Sequence, residues 1–327
     1  MKFSIVITTH NRLTLLKRAI DSALSQTIPC EVIVVDDGSS DGTDMYVQGR
    51  RKKLLDMGNT RLIYHRNSTN LGHSGTVNQG VALATGEWVK LVDDDDYLTP
   101  NCIEEMVKAI AGRPDAVICS CRAIQVNENE NEISRSRQVG KGTLVYIPQA
   151  EIHYAMLLEL LPFGTPVQVA FSRSAFLKSG GWDTRFDTNY DDIDSWIKIA
   201  QFGDAIFINK CLAYRTVWHG SFNSKFTLEQ RLDINLIIKE KIYFCISEKY
   251  RHSLPKLSEI KTSIRLHWGF VAIKKSKIIS AINIYLKTDF SIAALRLFLK
   301  RLVARDCLDK LLKESQVTPI LSVREHN

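Results

Sequence analysis

The chain has 327 residues, 45% of them hydrophobic and 24% charged, with a formal net charge of +7. This is the balance of an ordinary globular protein; it excludes a low-complexity or fibrous chain and suggests one large α/β unit with an appendage. Residues 1–224 carry 23 Lys and Arg against 26 Asp and Glu, whereas residues 225–327 carry 20 against 10. The basic character therefore belongs to the C-terminal third, where it points to an anionic surface, either membrane lipid or nucleic acid.

Apolar, β-branched runs at Phe3–Thr8, Glu31–Asp36, Arg61–His65, Glu87–Val92 and Asp115–Ser120 read as strands. They alternate with helical patterns near Arg12–Gln26, Asp41–Met57, Ser74–Ala84 and Pro100–Ala111. Such alternation predicts a parallel sheet covered on both faces, with ligands at the carboxyl ends of its strands. Residues 122–147 read as irregular strands with a polar excursion at Asn127–Glu132. A helix near Pro148–Leu160 follows, then a loop at Pro162–Pro166, a strand at Val167–Ser172 and a helix at Asp192–Phe202. Ala205–Ile208 and Leu212–Val217 read as the final strands, and from Thr227 the pattern is helical, with a break at Ser253-Leu254-Pro255.

The seven cysteines are scattered and match neither a zinc nor a disulfide spacing, so a reduced, cytoplasmic setting is expected. The first strand is expected to begin at Phe3 without a signal peptide, and no apolar run of the sequence is long enough to span a bilayer.

Polar residues collect where the strands end: Thr8-Thr9-His10-Asn11, Asp36-Asp37-Gly38-Ser39, and Asp93-Asp94-Asp95-Asp96. The last group is the most informative. Like charges about 4 Å apart repel by about 1 kcal/mol even in water, and by more near protein. A divalent cation carrying a diphosphate would relieve that repulsion, because hard cations take oxygen ligands. The plainer reading is a solvated acidic turn before a helix that starts at Thr99-Pro100. Asp191-Asp192 similarly fits either a helix start or a carboxylate poised for chemistry.

Ser4–Arg12, Val34–Thr43, Asn70-Leu71-Gly72, Asn78, Gly86 and the aspartate cluster, in this order and spacing, resemble glycosyltransferase family 2 over about residues 3–223. The resemblance implies an α/β fold of the GT-A (Rossmann-like) type, a mostly parallel sheet flanked by helices, here with a helical C-terminal extension. It divides the chain into a catalytic domain at 1–224, with a nucleotide-binding half at 1–120 and an acceptor-binding half at 121–224, and a basic helical region at 225–327.

By the same resemblance Thr8, Thr9, His10, Asn11 and Asp37 bind the nucleoside, with Asp37 accepting from the base. Asp93-x-Asp95 matches the family's acidic metal motif. Asp95 is the expected direct ligand of Mn²⁺ or Mg²⁺; Asp93 contacts the ribose or the metal, and Asp94 the donor sugar. Asp96 caps the turn. His219 is read equally as third metal ligand and as an ordinary loop histidine. Asp192 is the expected general base, with Asp191 sharing the helix start. The family's Ala-Arg-Asn after Asn70-x-Gly72 is replaced by Thr76-Val77-Asn78, which removes an arginine and leaves Asn78 as a structural hydrogen-bonding residue.

The implied activity is an inverting, metal-dependent transfer of a hexose from a UDP-sugar to a glycan or lipid-linked acceptor. Bacterial surface polysaccharide assembly, as in O-antigen, capsule or lipopolysaccharide, is the implied setting. The alternatives are a metal-dependent nucleotidyltransferase, which would want a glycine-rich phosphate loop that Thr8–Arg12 lacks, and a non-catalytic sugar-nucleotide-binding protein. In the tail, Ile278-Ile279, Ile282, Tyr285-Leu286 and Leu295 alternate with Lys274, Lys275, Lys277, Lys300, Arg301 and Arg305. This pattern suits either a peripheral contact with an anionic membrane surface, at the inner face of the cytoplasmic membrane, or packing on the catalytic domain or a second copy. No nucleic acid partner is expected, and a homo-oligomer is left open.

Overall fold

A computed structural model describes residues 1–186, 190–218 and 226–303. In chain order the first elements are β1 (Phe3–Thr9), α1 (Leu13–Leu24), β2 (Glu31–Asp36), α2 (Thr43–Asp56), β3 (Leu62–Arg66), α3 (Gly72–Leu83) and β4 (Trp88–Asp93). Next come β5 (Tyr97–Leu98), α4 (Cys102–Ala111), β6 (Ala116–Val126), β7 (Glu132–Arg135), β8 (Leu144–Ile147) and α5 (Gln149–Leu157). They are followed by β9 (Val169–Ser172), α6 (Arg173–Lys178), α7 (Asp191–Ile199) and β10 (Asp204–Thr216). The remaining helices are α8 (Leu228–Phe244), α9 (Glu248–Arg251), α10 (Leu257–Lys274), α11 (Ile278–Leu286) and α12 (Ile292–Val303).

The strands form one mixed sheet in the order β3-β2-β1-β4-β9-β6-β10-β5, with β7 on β6 and β8 on β10. The β3-β2-β1-β4 side is wholly parallel. Its central strands are buried from end to end in β1 and from Val32 onward in β2, as continuous apolar sequence requires when helices cover both faces. Helix α1 turns Leu16, Ala19, Ile20 and Ala23 inward at three- and four-residue spacing. Thr8 stands beside Asp93 and Val35, and Thr9 beside Asp36, so the polar ends of β1, β2 and β4 are level along one rim. At Gly86 an added Cβ would lie 2.6 Å from the backbone nitrogen of Ser4, so only glycine lets the chain enter β4 this close to β1.

Strand β9 runs antiparallel between β4 and β6, an insertion that chain order did not announce. The two expected final strands are a single β10, broken in register around Ile208, Cys211 and Ala213. The polar pair Asn209-Lys210 belongs to that irregularity: Asn209 bonds the carbonyls of Val139 and Gly142, while Lys210 pairs with Glu105 at 2.7 Å.

The described residues divide into two compact units, one of 1–149 with 162–218, the other of 150–161 with 226–303. Residues 150–161, read from sequence as part of the acceptor-binding half, thus group with the C-terminal helices. In this helical unit α8 starts at a Thr227–Gln230 capping box and buries Leu228, Leu232, Leu236 and Ile242. Glu151 is buried and accepts from Lys249 at 2.7 Å, and Tyr154 stacks on Tyr250 at 4.3 Å. The expected break at Ser253–Pro255 falls between α9 and α10. Among the described residues no helix is long and apolar enough to cross a membrane.

Candidate active site

Strand β4 carries its apolar run to the rim and releases it into a turn closed by the Asp96 nitrogen on the Asp93 carbonyl at 3.0 Å. The four carboxylates then diverge. Asp96 is buried and accepts the Thr216 backbone N–H at 2.8 Å, which ties the turn to the end of β10. Asp94 is also buried and accepts from the Thr9 hydroxyl at 2.8 Å and from Arg12 at 3.0 Å. Asp95 accepts from the Trp218 indole at 2.9 Å and lies 3.5 Å from the same Arg12. Asp93 faces His73 at 3.1 Å. Oxygens of Asp93, Asp95 and Asp96 can all lie within 4.8 Å of one another.

Arg12 and His73 offset this charge only partly. Burial, opposed by Arg12 and reinforced by Asp95, pushes the Asp94 carboxyl up to about 6. Burial and the field of Asp93 raise Asp95, and burial with the fields of Asp95 and Asp93 takes Asp96 well above the usual carboxylate range. The rim is therefore an electrostatic deficit that a hard cation would fill. The oxygen-only donor set of Asp93, Asp95 and Asp96 suits Mg²⁺ or Mn²⁺, with Asp93 and Asp95 half-buried and Asp96 held from behind by Thr216.

On the β1–β2 side the loops are fixed by their own polar groups. Asp37 is buried and accepts from the Asn67 side chain and the Leu71 backbone, each at 2.8 Å, and from Gly72 N–H at 3.0 Å. Three of its roughly four acceptor directions are thus taken, leaving one for a ligand donor. His10 is exposed, with Nδ1 2.9 Å from the Asp37 carbonyl and Asn11 and Asn70 beside its ring. Asn11, at φ 54°, accepts from Ser40 N–H at 2.7 Å. Thr8 is buried at the rim, whereas the Thr9 hydroxyl is spent on Asp94. Asp41 does more than start α2: it accepts from Thr43 and, at 2.8 Å, from Leu13 N–H at the head of α1.

Asp191 and Asp192 open α7. Each accepts the backbone N–H of the residue after it, at 2.9 and 2.7 Å. Asp191 is buried and also meets His73 Nδ1 at 3.1 Å, so the imidazole bridges Asp191 and Asp93 through its two ring nitrogens. Burial opposes a charge on His73, but the two carboxylates outweigh it and hold its pKa well above the ordinary value. Asp192 is half-buried; desolvation, then the fields of Asp191 and Asp93, push it up to about 7. Behind the pair, Asn78 exchanges two hydrogen bonds with the Trp182 backbone, at 2.8 and 2.9 Å. Gly181 precedes it at φ 71°, where a Cβ would also strike Asn78 Oδ1 at 2.6 Å. Trp182 packs edge-on against His73 at 5.2 Å.

The rim thus gathers Thr8, Thr9, His10, Asn11, Asp37, Asp93, Asp94 and Asp95 from the sequence reading, and His73 ties Asp191 to Asp93. His219 lies outside the described residues. Sequence reasoning missed His73, Arg12 and Trp218 as site residues. Arg12 stands in the Ser4–Arg12 stretch that carries the resemblance, but nothing local marks its pairing with residues 82 and 83 positions on.

The family model of glycosyl transferase family 2 matches residues 4–180. A glucosyl-dolichyl phosphate glucuronosyltransferase of Haloferax volcanii is 27% identical over 196 residues, 56% of this chain and 56% of that protein. A GalNAc(5)-diNAcBac-PP-undecaprenol β-1,3-glucosyltransferase of Campylobacter jejuni is 36% identical over 109 residues, 33% of this chain and 34% of that protein. The chain therefore spans from about a third to just over half the length of these curated relatives. Among solved structures, S. aureus TarS 1–349 in complex with UDP-GlcNAc superposes with a TM-score of 0.62 at 19% identity, covering 92% of this chain and 80% of that one. The mannosyltransferase PcManGT of Pyrobaculum calidifontis, in complex with GDP-Man and Mn²⁺, gives 0.54 at 18% identity, covering 93% and 88%. Both share the fold.

Proposed function

The chain belongs to glycosyl transferase family 2, and from that premise we propose that it transfers a hexose from a UDP-sugar to a hydroxyl of a glycan or lipid-linked acceptor, with inversion. The observation that carries this reading is the carboxylate rim: Asp93, Asp95 and Asp96 converge at the end of β4, and Asp192, pushed up to about 7, lies in the field of Asp93. The donor side is supported by the TarS complex with UDP-GlcNAc, and the acceptor side by relatives whose names carry dolichyl phosphate or PP-undecaprenol.

In this mechanism Asp93 and Asp95, with Asp96 behind them, would hold the cation. When bound, Mn²⁺ or Mg²⁺ supplies Lewis-acid stabilisation of the departing diphosphate. Thr8, His10, Asn11 and Asp37 hold the nucleoside, His10 offering a ring face and Asp37 its one remaining acceptor direction. Asp94 serves the donor side by fixing Thr9 and Arg12. Asp192 accepts the proton of the acceptor hydroxyl as that oxygen bonds to the anomeric carbon and the bond to the diphosphate breaks. A carboxylate with a pKa near the working pH suits this task. Asp191 and His73 position it. The Asp191 carboxylate is shared between His73 and the Asp192 N–H, so the pair is held at the head of α7.

The test is release of UDP from a panel of UDP-hexoses, with GDP-mannose as the competing base, with and without Mn²⁺. Metal-dependent UDP release is expected. Release of pyrophosphate from a nucleoside triphosphate would instead identify a nucleotidyltransferase, and donor binding without turnover a binding protein.

A further inference from the structure

Helix α11, Ile278–Leu286, contains no charged residue, and two of its sides behave oppositely. Ala281 and Ile284 are buried. Ile278, Ile279, Ile282 and Leu286 are 54%, 77%, 53% and 80% exposed, and at helical spacing they form one stripe about 100° wide. Phe290 and Ile292, in the connection to α12 and at its start, are 70% and 74% exposed, and Leu295 and Leu299 continue along α12. An uncovered apolar surface of this kind marks an interaction site.

Its margin is basic. Lys274, Lys275 and Lys277 precede α11, Lys287 follows it, and Arg296 lies on α12, all exposed. Lys274 lies over the Phe270 ring at 4.7 Å, and Lys277 is in the field of Glu229. From residue 260 to 303 the sequence holds nine Lys and Arg and a single acidic residue, Asp289.

We propose that this face is a membrane-surface site: α11 lies in the headgroup region of an anionic bilayer, its Ile and Leu stripe in the acyl boundary and its flanking lysines on lipid phosphates. Charge decides the occupant. A second copy docked on the same face would bring lysine against lysine, whereas an anionic leaflet complements them. A nucleic acid would match the charge but leave the isoleucines unmatched. The long lysine stems allow the charged ends to reach the headgroups from a helix lying in the plane.

The experiment is co-sedimentation of the full chain with vesicles of phosphatidylcholine alone and of phosphatidylcholine with phosphatidylglycerol. UDP release is measured in parallel, so that a failure of the catalytic reading is seen separately. Binding to the anionic vesicles is expected, falling as salt rises. Lys275→Ser and Lys287→Ser should each weaken it about fivefold. Ile279→Glu/Leu286→Glu should abolish it with the circular dichroism spectrum and UDP release unchanged. Absence of binding to anionic vesicles by a chain that still turns over donor would overturn the proposal. So would a dimer in solution that Ile279→Glu/Leu286→Glu splits while vesicle binding persists, which would assign the face to a second copy.

Discussion

The sheet unit and the helical unit treat charge and apolar surface in opposite ways. Around the rim of β4 the carboxylates of Asp94, Asp96 and Asp191 are buried and each is tied to a named donor, while the isoleucines and valines of β1 and β2 are fully covered. Around α11 the lysines are exposed and Ile278, Ile279 and Ile282 face outward. Buried charge costs free energy unless it is paired, and uncovered apolar surface costs free energy unless something covers it. The two regions therefore each carry an unmet demand of a different kind. At the rim it is for positive charge, which fits chemistry on a diphosphate; on the helices it is for an apolar, anionic layer, which fits attachment.

The largest effect that tests this contrast is at Asp95. Asp95→Ala removes a proposed metal ligand and should lower metal-dependent UDP release by roughly a thousandfold, several kcal/mol at about 1.4 kcal/mol per factor of ten. In metal-free protein the same change relieves repulsion with Asp93 and Asp96, so its Tm should not fall. A Tm that drops as far as the rate would make the rim a structural network and not a binding site. Next is Asp192→Asn, expected to cut turnover by roughly a hundredfold or more while leaving UDP affinity by calorimetry unchanged. Near-normal turnover would remove Asp192 from the base role.

How much of this was readable beforehand depended on the range of the interaction. Strands β1, β2 and β4 and helices α1 and α4 follow from local periodicity, since each is buried by its own apolar pattern, whereas α2 buries only Thr43 and Val47. Asp93–Asp96 and Asp191-Asp192 were visible because clustered carboxylates are locally costly. His73 was not: it joins Asp93, 20 residues away, to Asp191, 118 residues away, and a histidine after Gly72 carries no local sign of either. Strand β9 was legible as a strand, but its antiparallel place between β4 and β6 was hidden for the same reason, because a four-residue apolar run does not declare its neighbours. The exposure of the α11 stripe was equally hidden, since a helix without charges reads the same whether covered or bare.

A smaller effect should come from His73→Phe, which removes the shared donor of two carboxylates while keeping a ring against Trp182. Loss of hydrogen bonds to charged groups costs about 2 kcal/mol, which denaturant melts would show. The pH dependence carries the same signature. Asp94 and Asp192 are raised to about 6 and about 7, so between about pH 4 and pH 7 these two groups bind more protons in the folded chain than in the unfolded one. Their contribution to the stability of the metal-free protein should accordingly fall as pH rises through that window, a loss that Asp94→Asn/Asp192→Asn would remove, while turnover rises toward a plateau above about pH 7 as Asp192 deprotonates. Added Mn²⁺ should raise the Tm more at pH 8 than at pH 5. A pH-independent increment would mean that the carboxylates of the rim do not hold the ion.

The smallest effect lies on the bare face of one helix, with the packed face of the same helix as its control. Ile284 of α11 is 3% exposed, and Ile284→Ala should cost about 2–5 kcal/mol in urea melts, the ordinary penalty for emptying a packed site. Ile279, five residues earlier on the bare face, is 77% exposed, and Ile279→Gln should move stability by no more than about 0.5 kcal/mol. The same substitution takes an apolar group off the surface, so it should improve solubility while weakening vesicle binding. If Ile279→Gln instead destabilised the protein as much as Ile284→Ala, the stripe would already be covered by part of this chain, and no demand for a bilayer would remain.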